Sequence, residues 1–246
     1  MKIFILGGSG LLGQAITFHL AKTTNWNIVS SFREQKIISK LKIKDYFLPV
    51  VDLSKKSELE KIILQAKPDI VINCSAVLKI NSKDDIQKAI NINSKLPYNL
   101  LNISTESSFK VIHFSTDCVF NGDKGNYKES DEISIDDNDI YAMTKYLGEF
   151  DGKNFLTIRM SIIGHDLFKK NGLLNWFLNS KGKVNGYENY IWSGTTTLEL
   201  SKIIKKIILT NLDNGGIYHL TGRKISKYDL LRTISEVYQK KIVINP

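Results

Sequence analysis

Short apolar runs alternate with longer amphipathic stretches along the first 120 residues. The runs KIFIL, WNIVSSF, YFLPVVDL, DIVINCSA and FKVIHFSTDCVF have the length and the β-branched content of buried strands. Residues 10–22, 57–66 and 86–103 have helical spacing, and Pro97 is expected to bend or interrupt the last helix. Strands that alternate with helices predict an α/β fold, in which a parallel sheet is covered by crossover helices.

The second half of the chain opens with a polar loop over 121–139. A helix is predicted from about Ile140 to Phe150, with Asp137, Asn138 or Asp139 as its N-cap. Further strand and helix signals follow at 155–164, 171–182, 198–209, 216–220 and 227–240. We expect residues 1–160 to form a nucleotide-binding core that carries the catalytic residues. Residues 161–246 are expected to form a small substrate lobe and the closing elements of the core.

Composition narrows the choice of partner. The chain has 246 residues, 42% of them hydrophobic, and a net charge of +9. Only four of the 34 basic residues are Arg, and the lysines are spread along the chain, which disfavours a nucleic-acid surface because duplex readers rely on Arg forks. A phosphorylated cofactor and substrate are the expected anionic partners. The exposed helix faces allow a homodimer.

The chain shows no signs of export or membrane insertion. It contains no run of about 18 apolar residues, and its N-terminus lacks a small-residue cleavage site. Cys74 and Cys118 are too far apart for a CxxC pair, so both are interpreted as small, buried, reduced thiols. We expect a cytoplasmic protein that neither contacts a membrane nor binds a metal.

A GxxGxxG motif follows the first predicted strand and opens the first predicted helix. Its glycines are Gly7, Gly10 and Gly13, and Ser9, Leu11 and Leu12 complete the turn. Glycine allows a tight turn and a close approach of backbone to a pyrophosphate, which the N–H groups of a helix N-terminus bind. The motif therefore predicts dinucleotide binding. The alternative is an ordinary Gly-rich turn.

The ends of the next strands suggest which dinucleotide binds. Arg33 follows the second strand and would accept a ribose 2′-phosphate, so NADP(H) is preferred and NAD(H) is the alternative. Asp52 and Leu53 are candidates for contacting the adenine, although Arg33 could be a solvated charge and Asp52 an exposed turn residue. Small side chains at the end of the fourth strand permit close approach of the cofactor: Cys74, Ser75 and Ala76.

Three residues form a candidate catalytic set. Tyr141 and Lys145 lie four positions apart on one face of a predicted helix, and Thr116 ends a predicted strand. Hydride reduction of a ketone leaves an alkoxide that needs a proton, which Tyr141 could donate if the Lys145 ammonium lowered its pKa. Thr116 would donate a hydrogen bond to the carbonyl oxygen. The alternative is that all three residues are structural.

The order of several motifs resembles a known family. GGSGLLG, VINCSA, ININSKLPYNLL, HFSTDCVFNG, DIYAMTKYLGE, LTIRMSIIG and GIYHLTGRKISKYDLL resemble extended short-chain dehydrogenases, and among them the dTDP-4-dehydrorhamnose reductase family. The resemblance implies a Rossmann-type doubly wound parallel sheet with a small C-terminal substrate-binding lobe. It also implies that Thr116, Tyr141 and Lys145 are catalytic, that Lys145 holds the nicotinamide ribose, and that Asn93 lies near the active site and the cofactor.

The implied reaction is reduction of the 4-keto group of a nucleotide-linked 6-deoxy sugar, in the synthesis of cell-surface polysaccharide precursors. Val77, Cys118 and Trp192 are the implied substrate contacts, and two of them depart from the family pattern. Cys118 stands where the family commonly has Tyr, and the segment around Trp192 replaces a Pro-Thr pair. Two alternatives stay open: an epimerase or dehydratase that retains its cofactor, and a non-catalytic NADP-binding regulatory subunit.

Overall fold

The computed structural model describes residues 1–32, 52–168, 170–210 and 215–246, together with the backbone of 47–48. The elements of the first half are β1 (Lys2–Leu6), α1 (Leu11–Thr23), β2 (Asn27–Ser31), β3 (Phe47–Leu48), α2 (Lys56–Ala66), β4 (Ile70–Asn73), α3 (Lys83–Ala89), a π-helical segment (Ile90–Lys95), α4 (Leu96–Ser107), β5 (Lys110–Thr116) and a 3-10 turn (Asp117–Val119). Those of the second half are α5 (Ile140–Tyr146), β6 (Phe155–Met160), β7 (Ile162–Ile163), α6 (Gly172–Asn179), β8 (Lys183–Asn185), β9 (Ile191–Trp192), β10 (Thr195–Thr196), α7 (Thr197–Leu209), β11 (Gly216–Leu220), β12 (Ile225–Ser226), α8 (Lys227–Val237) and β13 (Val243–Asn245).

The predicted parallel sheet is confirmed. Seven strands lie in the order β11-β6-β5-β4-β1-β2-β3, and every neighbouring pair is parallel. The chain builds outward from β1 to β3 and then crosses back to β4 on the other side of β1. Ligands of doubly wound sheets bind at this reversal, outside the carboxyl ends of the strands.

Helices cover both faces of the sheet, as a doubly wound fold requires. On one face, Ile3 and Ile5 of β1 pack in a cluster with Ile16 of α1 and Ile204 of α7. The alternate β1 residues Phe4 and Leu6 point to the other face, whose cluster includes residues of α2 and α4. β1 is therefore buried from both sides, and the turn that follows it has a fixed position.

A third apolar cluster lies within residues 161–246. Leu174 and Phe177 of α6 pack there with Leu231 and Ile234 of α8. Short strands accompany these helices in the pairs β7–β10, β9–β12 and β8–β13. The chain then returns to the core, because β11 pairs with β6 and α7 packs on α1.

The helix predicted over 86–103 is divided into three parts. The π-helical segment separates α3 from α4, and Pro97 stands in the first turn of α4. Proline lacks the N–H that would bond the carbonyl of Asn93, four residues earlier, so regular α-helical bonding is interrupted there. The predicted interruption at Pro97 is confirmed, and of the candidate N-caps of α5 it is Asp139 that accepts from Ala142 N at 2.8 Å.

No helix in the parts of the chain listed above is long and apolar enough to cross a bilayer. The same residues contain no group of three or more His, Cys, Asp or Glu side chains arranged to hold a metal ion.

Alanine substitutions at two leucines of α2 test which face of this helix packs against the core. Leu59 is fully buried, whereas Leu64 on the same helix is 61% exposed. Leu59→Ala should lower the free energy of unfolding by about 2–5 kcal/mol, because it removes apolar contacts and leaves a cavity. Leu64→Ala should change it by less than about 0.5 kcal/mol. Urea denaturation of the two variants checks this, and equal losses would contradict the assignment of the buried face.

Candidate active site

The turn after β1 is held against the end of β2. Gly7 N–H donates to Ser31 Oγ at 3.1 Å, and Gly8 N–H donates to Ser31 O at 2.9 Å. Gly10 N–H closes the turn on Gly7 O at 2.9 Å. Gly7 has φ +79°, a backbone conformation that other residues rarely adopt.

Gly13 leaves no room for a side chain. A Cβ on Gly13 would lie 2.3 Å from Gly7 O, so α1 packs directly against the turn. Gly10 caps α1 without a side-chain hydrogen bond, which leaves the first N–H groups of the helix, at Leu11 and Leu12, available to an anion. Ser9 is buried beside them. These residues fit the pyrophosphate of a dinucleotide.

The end of β4 brings a second polar group to the turn. Ser75 N–H donates to Asn73 Oδ1 at 3.1 Å, whereas Ser75 Oγ is buried without a hydrogen-bond partner among the described residues. A Cβ on Gly7 would lie 2.8 Å from this oxygen, so the hydroxyl adjoins the glycine turn. Cys74 N–H bonds Leu6 O, and Ala76 is half-buried. A buried hydroxyl with free bonding capacity at this position also fits a bound cofactor.

Lys145 is buried beneath the site. It is only 2% exposed, and its Nζ donates to Phe114 O at 2.6 Å and lies 3.5 Å from His113 Nε2. Burial lowers the pKa of Lys145 to about 8, although Glu149 and Cys74 oppose the shift. This lysine therefore changes its protonation near neutral pH.

Tyr141 lies on the same helix, near Thr116. Burial raises the pKa of Tyr141, and the Thr116 hydroxyl only partly offsets this by hydrogen bonding. The expected lowering of the tyrosine pKa by Lys145 is therefore wrong for this structure, because Lys145 Nζ is directed at the carbonyl of Phe114. Thr116 Oγ1 also accepts from Cys118 N at 3.1 Å and so caps the 3-10 turn.

Asn93, in the π-helical segment, joins the loop after β4 to α5. Its side-chain amide donates to Val77 O and to Thr144 Oγ1, both at 3.0 Å, and its Oδ1 accepts from Val77 N at 2.8 Å. Ser94 Oγ adds a bond to Thr144 O at 2.7 Å. The amide of Asn93 is thus fully engaged, and it fixes the helix that carries Tyr141.

The residues predicted to contact the adenine have local partners. Asp52 is exposed, and its Oδ1 accepts from Ser54 N and Ser54 Oγ, which lowers its pKa. Leu53 is buried in the same cluster as Phe4. Arg33 lies outside the described residues.

The prediction that both cysteines are buried is wrong for Cys118. Cys118 is exposed because it lies on the 3-10 turn at the rim of the site. Cys74 is partly buried against the core, and burial raises the pKa of its thiol.

Trp192 links the lobe to the carboxyl edge of the sheet. Its Nε1 donates to Ser161 Oγ at 2.8 Å, and Ser161 directly follows the end of β6. On the neighbouring strand β5, Thr116 pairs with Met160, the residue before Ser161. The hydrogen bond from Trp192 therefore reaches the chain after β6, one residue beyond the partner of Thr116. A Cβ on Gly194 would lie 2.3 Å from the indole, which shows how closely the backbone packs on the ring.

A buried ion pair that was not predicted from the sequence fixes the chain just after α5. Arg159 Nε and Nη2 both bond the carboxylate of Glu149, with a shortest distance of 2.7 Å. Arg159 Nη1 lies 3.3 Å from His219 Nε2. A single Arg within the apolar run LTIRM could have indicated it, since a buried cation needs a partner.

The 121–139 loop is fastened to the same network. His219 N–H donates to Glu129 Oε1 at 2.8 Å, and His219 Nδ1 lies 3.3 Å from Tyr127 O. Tyr127 also stacks on Phe120, with ring centroids 4.2 Å apart. The loop is therefore anchored to β11 and to the chain that leaves β5.

The family of the chain follows from comparison with known proteins. The RmlD substrate binding domain family matches residues 1–246. This chain belongs to that family. The resemblance seen in the sequence motifs is thereby confirmed.

Curated relatives carry names of reductases and polysaccharide biosynthesis proteins. A dTDP-4-dehydrorhamnose reductase of Aggregatibacter actinomycetemcomitans is 24% identical over 99% of this chain and 82% of its own length. The spore coat polysaccharide biosynthesis protein SpsK of Bacillus subtilis is 29% identical over 69% of this chain and 61% of its own length.

A solved structure confirms the fold. A dTDP-4-dehydrorhamnose reductase of Clostridium acetobutylicum superposes with a TM-score of 0.80 at 24% identity, covering 100% of this chain and 83% of the other. The corresponding Bacillus anthracis protein, solved in complex with NADP, gives a TM-score of 0.73 at 20% identity, again over 100% and 83%. At these identities the likeness establishes the fold of the chain.

Ser75 provides a test of the cofactor site that separates binding from folding. Ser75→Ala should leave stability unchanged or slightly higher, because the lost hydroxyl has no hydrogen-bond partner in the described part of the chain. It should weaken NADPH binding about three- to tenfold. Ser104→Ala is the matched control, because Ser104 lies on α4 and not at the glycine turn. Its Oγ donates to Leu101 O at 2.7 Å. It should cost about 1 kcal/mol of stability and leave NADPH affinity unchanged. Calorimetric titration and thermal melts decide between these outcomes, and unchanged NADPH affinity in Ser75→Ala would contradict the placement.

The pKa of Lys145 predicts a pH dependence of stability. The folded state holds this lysine with a pKa of about 8, below its ordinary value of 10.5. Between these pH values the unfolded chain binds more protons, so the contribution of Lys145 to stability rises with pH from about 8 to 10.5. Relative to Lys145→Met, the wild type should therefore gain stability across this window. Chemical denaturation at several pH values measures the difference, and a difference independent of pH would contradict a buried, titrating lysine.

Proposed function

We propose that the protein uses NADPH to reduce the 4-keto group of a nucleotide-linked 6-deoxy-4-keto sugar. One observation carries the proposal: Thr116 and Tyr141 interact at the carboxyl end of β5, and Lys145 is bonded to the same strand. The glycine turn and Ser75 lie at the carboxyl ends of β1 and β4, in the same sheet. The protein is an NAD(P)-dependent oxidoreductase of the family identified above.

Thr116 and Tyr141 provide two hydroxyls for one carbonyl oxygen. Hydrogen bonds from both groups would stabilise the negative charge that develops on the oxygen during reduction. NADPH, when bound, supplies the hydride that converts the carbonyl carbon to an alcohol carbon. Tyr141 supplies the proton, since its buried phenol is un-ionised at neutral pH and its O–H is available to the alkoxide.

Lys145 completes the proton transfer. After Tyr141 has donated its proton, the phenolate must be neutralised, and a lysine that titrates near pH 8 can donate a proton under physiological conditions. Cys118 and Asp117 lie near Tyr141, and negative charge on either group would oppose a phenolate.

The proposal that the substrate is a sugar nucleotide is supported by the family of the chain and by the segment 161–246, the proposed substrate lobe. The curated relatives include named dTDP-4-dehydrorhamnose reductases, and Trp192 gives the lobe a rigid wall at the edge of the sheet where Thr116 lies. Cys118 and Val77 are the other proposed substrate contacts. Residues 161–246 would supply this lobe, and residues 1–160 the cofactor core.

The preference for NADPH over NADH rests on Arg33 in the sequence. A guanidinium at the end of the second strand favours a 2′-phosphate over a free 2′-hydroxyl. A cytoplasmic location and a homodimer complete the proposal, on the grounds of the unpaired cysteines and the exposed helix faces.

The activity test is oxidation of NADPH in the presence of a panel of nucleotide-linked 4-keto-6-deoxy sugars. Tyr141→Phe should lower kcat by about 100- to 10,000-fold because it removes the proton donor, with NADPH binding retained. Tyr146→Phe is the matched control, since Tyr146 is an exposed residue on the same helix, and it should retain full turnover.

Three outcomes would overturn the proposal. Product formation without net NADPH consumption would identify an epimerase or dehydratase. NADPH binding without turnover of any sugar would favour a regulatory subunit. Equal activity of Tyr141→Phe and Tyr146→Phe would remove Tyr141 from the reaction.

A further inference from the structure

His113 lies in the middle of a buried polar chain that the catalytic proposal does not use. It is fully buried in β5, opposite Asn73 of β4 in register. One ring nitrogen, Nδ1, is 3.1 Å from Asn73 Nδ2, and the other, Nε2, is 3.5 Å from Lys145 Nζ. The chain runs from the end of β4 through β5 to α5.

The hydrogen bonds of Asn73 fix the direction of this chain. Asn73 Oδ1 accepts from Ser75 N–H at 3.1 Å, which places the amide NH₂ group against His113. An amide nitrogen can only donate, so His113 Nδ1 must accept. A neutral imidazole that accepts at Nδ1 carries its proton at Nε2.

This tautomer disfavours an ammonium at Lys145 without excluding it. A charged Lys145 has only donors, and the Nε2–H of His113 is also a donor, so the two groups oppose each other at 3.5 Å. A neutral amine at Lys145 resolves the conflict, because it can accept from Nε2–H while donating to Phe114 O.

We propose that His113, oriented by Asn73, is a positioning residue whose Nε2–H faces Lys145 Nζ and favours the neutral amine of this lysine over its ammonium form. Its consequence for turnover rests on the proposed function, whereas the protonation of Lys145 does not.

Two other groups near Lys145 are potential sources of negative charge. Glu149 and Cys74 act in the opposite direction and favour the ammonium, but Glu149 is already paired with Arg159. Burial holds the pKa of His113 well below its ordinary value, so the ring is neutral when it faces the lysine.

Among the described residues, Lys145 Nζ contacts only Phe114 O and His113 by hydrogen bonding. Helix α3, which also packs on α5, contributes the exposed Lys83 and Asp84 and the pair Asp85–Lys88. The 3-10 turn contributes Asp117 and Cys118, which act on Tyr141. The π-helical segment contributes the uncharged Asn93 and Ser94 and the exposed Lys95. His113 is therefore the group that distinguishes the two forms of Lys145 by hydrogen bonding.

Nuclear magnetic resonance of the wild-type protein without added nucleotide tests the tautomer directly. Ring ¹⁵N shifts of labelled histidine should show His113 protonated at Nε2 and unprotonated at Nδ1. A ring protonated at Nδ1, or at both nitrogens, would overturn the proposal. This readout requires neither activity nor a folded variant, so it stands apart from failure of the proposed function.

Titration of Lys145, followed by the shift of its ¹³Cε and assigned with Lys145→Arg, tests the consequence. Asn73→Asp keeps an acceptor for Ser75 N–H but presents a carboxylate to Nδ1. The proton should then move to Nδ1, and Nε2 should accept from the Lys145 ammonium. The pKa of Lys145 should rise by about one unit or more. His113→Asn, which removes Nε2–H, should also raise it.

The control is Thr157→Val. Thr157 is the buried β6 neighbour of His113 in register, and its hydroxyl donates to Phe150 O instead of facing Lys145. This variant should leave the Lys145 titration unchanged. Titrations of Asn73→Asp and His113→Asn that coincide with the wild type would refute the inference. If the proposed reduction is observed, the alkaline limb of its pH profile should shift upward in Asn73→Asp.

Discussion

Burial of one amino group organises the candidate site. Lys145 Nζ lies in the interior of the protein, where it donates to the backbone of β5 at 2.6 Å, and the helix that carries it also presents Tyr141. Desolvation disfavours the charged form of a buried lysine and moves its titration toward neutral pH. Burial of Lys145 lowers the stability of the fold at low pH, where the lysine must be charged. The same burial gives the site a group that can exchange a proton.

The position of α5 depends on contacts that are remote in sequence. Asn93 and Ser94 attach to Thr144 from the π-helical segment, and Glu149 is clamped by Arg159 of β6. Since Asn93 also bonds Val77, it joins the loop after β4 to the helix that carries Tyr141 and Lys145. The interruption of the helix at Pro97 thus has a structural use, because it lets the Asn93 backbone approach Gly148 closely.

The strands of the parallel sheet and the helices that cover it could be predicted because the hydrophobic residues of each element follow a clear pattern with clear boundaries. The glycine motif could be predicted for a similar reason, since its chemistry depends on local sequence. The role of Asn93 could not, because it depends on a π-helical segment and on bonds to residues 16 and 51 positions away. His113 was missed because a histidine in an apolar strand shows its meaning only when Asn73 and Lys145 lie on either side. The short strands of the lobe have two or three residues each, too few to produce a pattern.

The central claim is that a hydride passes from NADPH to the sugar carbon next to Thr116 and Tyr141. Deuterium placed on the transferring carbon of the nicotinamide tests it most directly, with the sugar product analysed by mass spectrometry and NMR. The account predicts one deuterium at C4 of the product for each NADPH oxidised. A product that carries solvent hydrogen at that carbon, or that forms without NADPH oxidation, would contradict it.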